Sequence, residues 1–347
     1  MRDFVTRLTQ TRRIDQEGAA MSSLGNILHP ERFQGAKKTD RYFEGWYFKL
    51  VSRDERHTIA LIPGVSVNRE DPHAFIQVFL SRAETDGTSL STRYLRYGMD
   101  QFKFEPKRFS ISIGNCAFTH ESITLDLADP SVDLRGTVSF SDFVPIRKTI
   151  FMPNIMGLFG YFSFMECYHG VISMTHMLHG KLLLDGETID FDGGKGYIEK
   201  DWGRSFPRAY VWMQSNHFTA PGTSLMFSYA DIPFLGMYFK GLIANLLIGG
   251  KEYRFATYNF ARVVREDVRD GSVFYRLKKG CYTLEVDAFS DRQIGLASPR
   301  NGRMVEQIKE GLSGVIRFRL FRGKKIIAED TGRHAGIEIM KRKNADE

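Results

Sequence analysis

From Tyr94 to Phe140 the chain runs in short segments rich in Phe, Ile, Val and Thr, recurring about every ten residues and broken by Gly, Asn, Asp and Pro. Segments this short, closed so often by turn residues, fit antiparallel strands of a barrel or sandwich and exclude alternating β and α units. Longer apolar strands are predicted at Tyr42–Val51 (YFEGWYFKLV), Thr58–Val65 and Ala74–Ser81, and again at Gly170–Leu184, Gly196–Trp202, Tyr210–Asn216 and Ser224–Ala230. Further strands are expected near Ile243, Tyr253, Val273, Tyr282 and Val315–Leu320. One short helix is predicted at Met304–Glu310; helical periodicity is otherwise scarce. The fold class is therefore all-β with few short helices.

The chain's 347 residues exceed the usual single domain. A faint internal echo divides it: Tyr210–Asn216, a Pro221-Gly222 turn and Ser224–Ala230 repeat the order strand, polar turn, apolar strand of Tyr42–Val65. We expect a flexible leader at 1–29, in which Met21 offers an alternative start, then β units at 30–205 and 206–347, joined near Ser205 and Pro207. Within the first, 145–163 (PIRKTIFMPNIMGLFGYFS) is an irregular apolar excursion with two prolines and two glycines. It reads either as a loop covering a barrel end or as a lid or peripheral membrane contact.

The formal charge of +7 suits an anionic neighbour such as a phospholipid surface, but much of it sits near the two ends, and no basic stripe interleaves with aromatics as nucleic-acid binding requires. Cys116, Cys167 and Cys281 are far apart and form no CxxC pair, so neither a zinc knuckle nor a disulfide scaffold is expected. No signal-type apolar segment opens the chain and no run reaches the roughly 20 apolar residues of a membrane span. A cytoplasmic protein, peripherally membrane-associated if at all, is the expectation. His169, His176 and His179 match neither HxH nor HExxH spacing, and no phosphate-cradling glycine loop or GxSxG elbow occurs, so no metal or cofactor is expected.

Chemistry concentrates in Lys195–Phe218 (KGYIEKDWGRSFPRAYVWMQSNHF), which mixes two carboxylates with two of the chain's three tryptophans. In an extended strand, Tyr197, Glu199 and Asp201 share one face and Ile198, Lys200 and Trp202 the other. Two acids on one face repel, which favours the protonated form of the deeper one and makes it a candidate acid catalyst. The competing reading pairs both with Arg204 or Arg208 at a barrel rim. On the next strand Arg208, Tyr210, Trp212, Gln214 and Asn216 form a polar-tipped aromatic face suited to an amphipathic ligand. Glu44 and Trp46 share a face with Tyr42 and Phe48, so Glu44 is either a buried anchor or a second pocket carboxylate. Glu166, Tyr168 and His169 pose the same question.

Three blocks carry a resemblance: RYFEGWYFK (Arg41–Lys49), MECYHGVISMTHMLHG (Met165–Gly180) and GYIEKDWGRSFPRAYVWMQSNHF (Gly196–Phe218). Together they resemble the tocopherol cyclase family over most of Pro30–His334 and, more distantly, carotenoid hydratases and other paired lipocalin-like barrels. The resemblance implies two lipocalin-like units and a cofactor-free reaction. In it the alkene of a prenylated hydroquinone or related isoprenoid lipid is protonated, and the phenol oxygen adds to the cation to close a chromanol-type ring. That chemistry needs a neutral acid, aromatic faces and exclusion of water. On this basis Asp201 is the expected proton donor and Glu199 its partner. Trp202, Tyr210 and Trp212 flank the alkene and ring, with a bend at Gly203 bringing Trp202 round. Gln214, Asn216 or His217 hold the quinol oxygens, and Tyr197, Trp46 and Glu44 complete the pocket. The alternative is a lipocalin-like carrier of an amphipathic isoprenoid lipid, which has no need of acids beside aromatics.

Overall fold

The computed structural model describes residues 25–341 apart from 86, 235, 236 and 291, so most of the leader and Met21 lie outside the described residues. Strands dominate it. Among the described residues helix is limited to one turn at 25–28 and the 3₁₀ turns Met99–Gln101, Gly157–Tyr161 and Thr257–Asn259. Two antiparallel sheets, of 12 and 11 strands, make a pair of packed lipocalin-like units. In the first, Tyr42–Val51 lies between His57–Val67 and the last long strand, Lys195–Gly203. In the second, Tyr210–Ser215 lies between Ser224–Phe234 and the last strand, Lys325–Met340. The echo in the sequence is thus a shared topology: each sheet folds its first strand between a hairpin partner and its own end.

The Tyr42–Val51 strand is buried almost throughout, Glu44 and Lys49 included, because both its faces are covered. Trp46, Phe48 and Leu50 point into the core of the first unit with Ile198, whereas Tyr47 packs with Tyr197, Tyr210, Trp212 and Leu312 in a separate layer between the sheets. Val211, Met213, Phe227 and Leu284 fill the second unit. Every functional residue discussed below is sorted by this parity, since alternate side chains of one strand enter different compartments.

The helix expected at Met304–Glu310 is instead the start of a 20-residue strand, Arg303–Arg322. Its Glu, Gln and Lys favour helix locally, but pairing with Ile294–Arg300 supplies a ladder, and alternate residues from Met304 to Glu310 turn inward. This hairpin crosses to the first sheet: Gln77 donates to the Ala297 carbonyl at 3.0 Å and accepts from the Ala297 amide at 2.9 Å.

Candidate active site

Between the two sheets, not inside either barrel, lies a cavity of about 140 Å³. Its walls are mainly apolar and aromatic, including Phe43, Tyr47, Phe75, Phe206, Tyr210, Trp212, Leu296 and Ile308. One imidazole and four carboxyls enter it: His169, Glu199, Asp201, Glu310 and Glu338. Met156, Ser228, Ala230, Ile232 and Ile243 are shared with a smaller apolar hollow of about 50 Å³ beneath Phe159 and Phe239.

Strand register builds the polar part. Tyr47 is opposite Glu199, and Asp201 is opposite His169, in the first sheet. Trp212 is opposite Glu338, which is opposite Glu310, in the second. The two rows then cross: Tyr47 donates to Glu310 Oε1 at 2.8 Å, and Trp212 Nε1 donates to Glu199 Oε2 at 3.2 Å. The rings of Tyr47 and Trp212 meet edge to face, centroids 5.5 Å apart.

At one end of the cavity His169 joins the two acids. Its Nδ1 is 2.8 Å from Asp201 Oδ1 and its Nε2 is 3.4 Å from Glu199 Oε2, which also accepts from the Tyr197 hydroxyl at 2.5 Å. Burial opposes charging the imidazole, but the two carboxylates outweigh it and push His169 up to about 10. The acid pair foreseen on one strand face is therefore bridged by an imidazolium. Neither Arg204 nor Arg208 takes that place; Arg208 pairs with Asp231 at 3.2 Å. The ligand atoms of His169, Glu199 and Asp201 lie within 4.8 Å of one another, a donor set a divalent ion accepts. Here Asp201 Oδ1 and Glu199 Oε2 already receive hydrogen bonds, so an ion would first have to displace the His169 proton.

At the other end, Glu310 is fully buried and Glu338 partly so. Tyr210 donates to Glu338 Oε2 at 2.7 Å. Glu310 Oε2 has no hydrogen-bond partner among the described residues, and the group directly across the ladder is another carboxyl. Burial pushes Glu310 up to about 7, against the Tyr47 hydrogen bond, and burial with the Glu310 charge raises Glu338 well above the usual carboxylate range. Two carboxyls so placed hold a proton between them at neutral pH. Burial also holds the phenols of Tyr47 and Tyr210 well above their usual range, so both serve as donors.

The structure brings Glu199, Asp201, Tyr210 and Trp212 into the cavity wall, and Tyr197 into the layer behind it through Glu199. It places the other expected site residues elsewhere. Glu44 is the anchor: fully buried, it pairs with the fully buried Lys200 at 2.5 Å and accepts from the Gln34 amide at 2.8 Å. Lys200 Nζ lies 4.7 Å and 4.8 Å from the ring centroids of Trp46 and Trp202, inside the first barrel. Trp202 keeps its strand parity despite Gly203 and stacks on Tyr168 at 5.4 Å. Gln214, Asn216 and His217 lie beyond the cavity along the sheet interface. There Asn216 Nδ2 donates to the Gly196 carbonyl at 2.8 Å and His217 Nδ1 contacts Asn216 Oδ1 at 3.0 Å. Glu310 and Glu338 were not singled out in the sequence. The signal for Glu338 was an acid within an apolar strand, in AGIEIM.

The site thus defines an all-β protein of paired lipocalin-like units with an acid and aromatic cavity between them. The family model described as tocopherol cyclase-like matches residues 152–340, and the chain belongs to that family. It is 35% identical over 68 residues, 20% of this chain, to a chloroplastic tocopherol cyclase of Zea mays, and 27% identical over 106 residues, 29% of this chain, to a probable one of Oryza sativa subsp. japonica. These matches span only 14% and 23% of those relatives' lengths. Among solved structures, CghA superposes with TM-score 0.57 at 9% identity, covering 87% of this chain and 89% of that one. A putative AttH from Nitrosomonas europaea gives TM-score 0.52 at 12% identity, covering 86% and 92%. Both likenesses concern the fold.

Proposed function

We propose that the chain is a cofactor-free, tocopherol-cyclase-like enzyme. It protonates the alkene of a prenylated hydroquinone or related isoprenoid lipid, and the lipid's phenol oxygen closes a chromanol-type ring. One observation carries this reading: a carboxyl pair, Glu310 and Glu338, faces an aromatic cavity with no cation bonded to either acid among the described residues. A carrier has no use for such a costly pair.

The shared proton of Glu310 and Glu338 is added to the alkene, giving a tertiary cation beside the faces of Tyr47, Tyr210 and Trp212. The phenol oxygen attacks the cation, and its proton leaves toward the group at His169, Glu199 and Asp201, from which solvent exchange restores the carboxyl pair. Substrate and product are isomers, so no other reactant is needed. Asp201 moves from donor to the proton-accepting end, because its Oδ1 already accepts from His169. The smaller hollow under Phe159 and Phe239 receives the apolar tail. Free Cys116, Cys167 and Cys281 fit a reducing, cytoplasmic setting.

Incubating the full chain with a prenylated hydroquinone in deuterated water tests this. The proposal expects a ring-closed isomer carrying one carbon-bound deuterium; recovery of bound but unaltered lipid would leave the carrier reading in its place.

A further inference from the structure

Exposed large apolar side chains gather on one face. Ile150 is 78% exposed and Phe151 71%; Phe164, Met237 and Phe260 are 53%, 73% and 92%. These belong to one surface, because the 145–163 excursion is tied down across the second sheet. Phe159 stacks on Phe239 at 5.5 Å, two residues after Met237, and Tyr258 donates to the Ile155 carbonyl at 2.9 Å, two residues before Phe260. Tyr161 donates to the Ile150 carbonyl at 2.7 Å, which closes the excursion on itself. A folded protein rarely leaves so many large apolar groups together in water.

Basic groups outnumber acids on this face. Arg147, Lys148, Arg208 and Lys240 are exposed. Asp231, which pairs with both Arg208 and Lys240, keeps 8% of its side chain accessible and Glu252 keeps 17%, while Glu266 beside Lys240 is exposed. Arg208 lies flat on the exposed Tyr238 ring, 3.3 Å from its centroid, joining cationic and apolar parts. The tail hollow lies directly beneath, lined by Phe159, Phe239 and Tyr258.

We propose that this face docks on an anionic phospholipid surface, with Ile150, Phe151 and Phe164 inserted at the headgroup boundary and Arg147, Lys148, Arg208 and Lys240 against the lipid phosphates. Apolar insertion and charge attraction together give reversible binding that neither gives alone. The docking stands apart from the chemistry proposed above, and is tested without substrate.

Co-sedimentation of the full chain with vesicles of phosphatidylcholine, with or without phosphatidylglycerol, measures it. Binding is expected to the phosphatidylglycerol vesicles and to weaken as salt is raised. The Phe151→Ser/Phe164→Ser variant should lose binding on the order of tenfold or more, as burial of two aromatic rings demands. Arg147→Ser/Lys148→Ser should lose the salt dependence in part, with circular dichroism unchanged for both variants. Equal partition of the wild type and the aromatic variant overturns the proposal. So does a concentration-dependent dimer in sedimentation velocity that the aromatic variant abolishes, since a second copy would then cover the face. Turnover of a short-chain, detergent-dispersed substrate should be the same in these variants and wild type, which separates failed docking from failed chemistry.

Discussion

Tyr47, on the first sheet, donates its phenol hydrogen to Oε1 of Glu310 on the second at 2.8 Å. This bond crosses the sheet interface at the cavity wall and occupies one carboxyl oxygen of Glu310, whose partner across the ladder is Glu338. The proton that the chemistry requires is placed there by the packing of the two sheets together, so the site exists only in the paired structure.

The pH dependence of activity follows from that proton. The neutral form of Glu310 is the one with its proton on, so kcat/KM should fall as pH rises through about 7. His169 stays cationic until about 10 and adds no limb below that. A profile flat from pH 6 to pH 9 on a prenylated hydroquinone, these being about the limits that bracket the Glu310 transition, would contradict the assignment.

Stability carries the same signature. Glu310 has a folded-state pKa raised above its ordinary value, so its contribution is fully present at low pH and is lost as pH rises from about 4.5 through about 7. Glu310→Gln removes that loss. Relative to wild type, the variant should gain about 3 kcal/mol in urea unfolding between acid and mildly alkaline buffer; parallel wild-type and variant curves would speak against a buried protonated acid.

His169→Gln leaves Glu199 and Asp201 facing each other without the bridging cation. Uncompensated buried charge costs about 3 kcal/mol, and loss of the cation that keeps Glu199 and Asp201 ionised to accept the phenol proton should lower kcat by roughly 10²-fold. Urea unfolding together with single-turnover rates measures both. An unaffected rate would remove His169 from the proton path.

The Glu44 and Lys200 pair gives a contrasting case. Lys200→Met strands a fully buried carboxylate and should cost about 3–5 kcal/mol, whereas Glu44→Leu/Lys200→Met should recover most of it. In the double variant, lipid turnover at a permissive temperature should match wild type, since this pair lies inside the first barrel and not on the cavity wall. Thermal unfolding and a turnover assay decide it.

Much of the fold was readable from residue spacing. Turn residues about every ten positions between Tyr94 and Phe140 marked the antiparallel strands, and period-two alternation put Glu199 and Asp201 on the face of Tyr197, where the structure has them. What parity does not tell is which compartment a face enters when both faces are covered. Glu44, Trp46 and Trp202 fall inside the first barrel and Glu199 and Asp201 between the sheets, although all occupy similar apolar strands. Glu310 escaped notice for a different reason: the helix formers around it masked a strand whose pairing partner, Ile294–Arg300, is fixed by tertiary contact with Gln77. Its partnership with Glu338 depends on a register between strands that no local signal specifies.

The most direct test of the central claim compares Glu338→Gln with the wild type in one experiment, measuring binding of a prenylated hydroquinone by fluorescence quenching and its ring closure by single-turnover mass spectrometry. The cavity's acid pair predicts that binding persists while ring closure falls by about 10²–10⁴-fold. Ring closure at the wild-type rate in Glu338→Gln and in Glu310→Gln alike would contradict it.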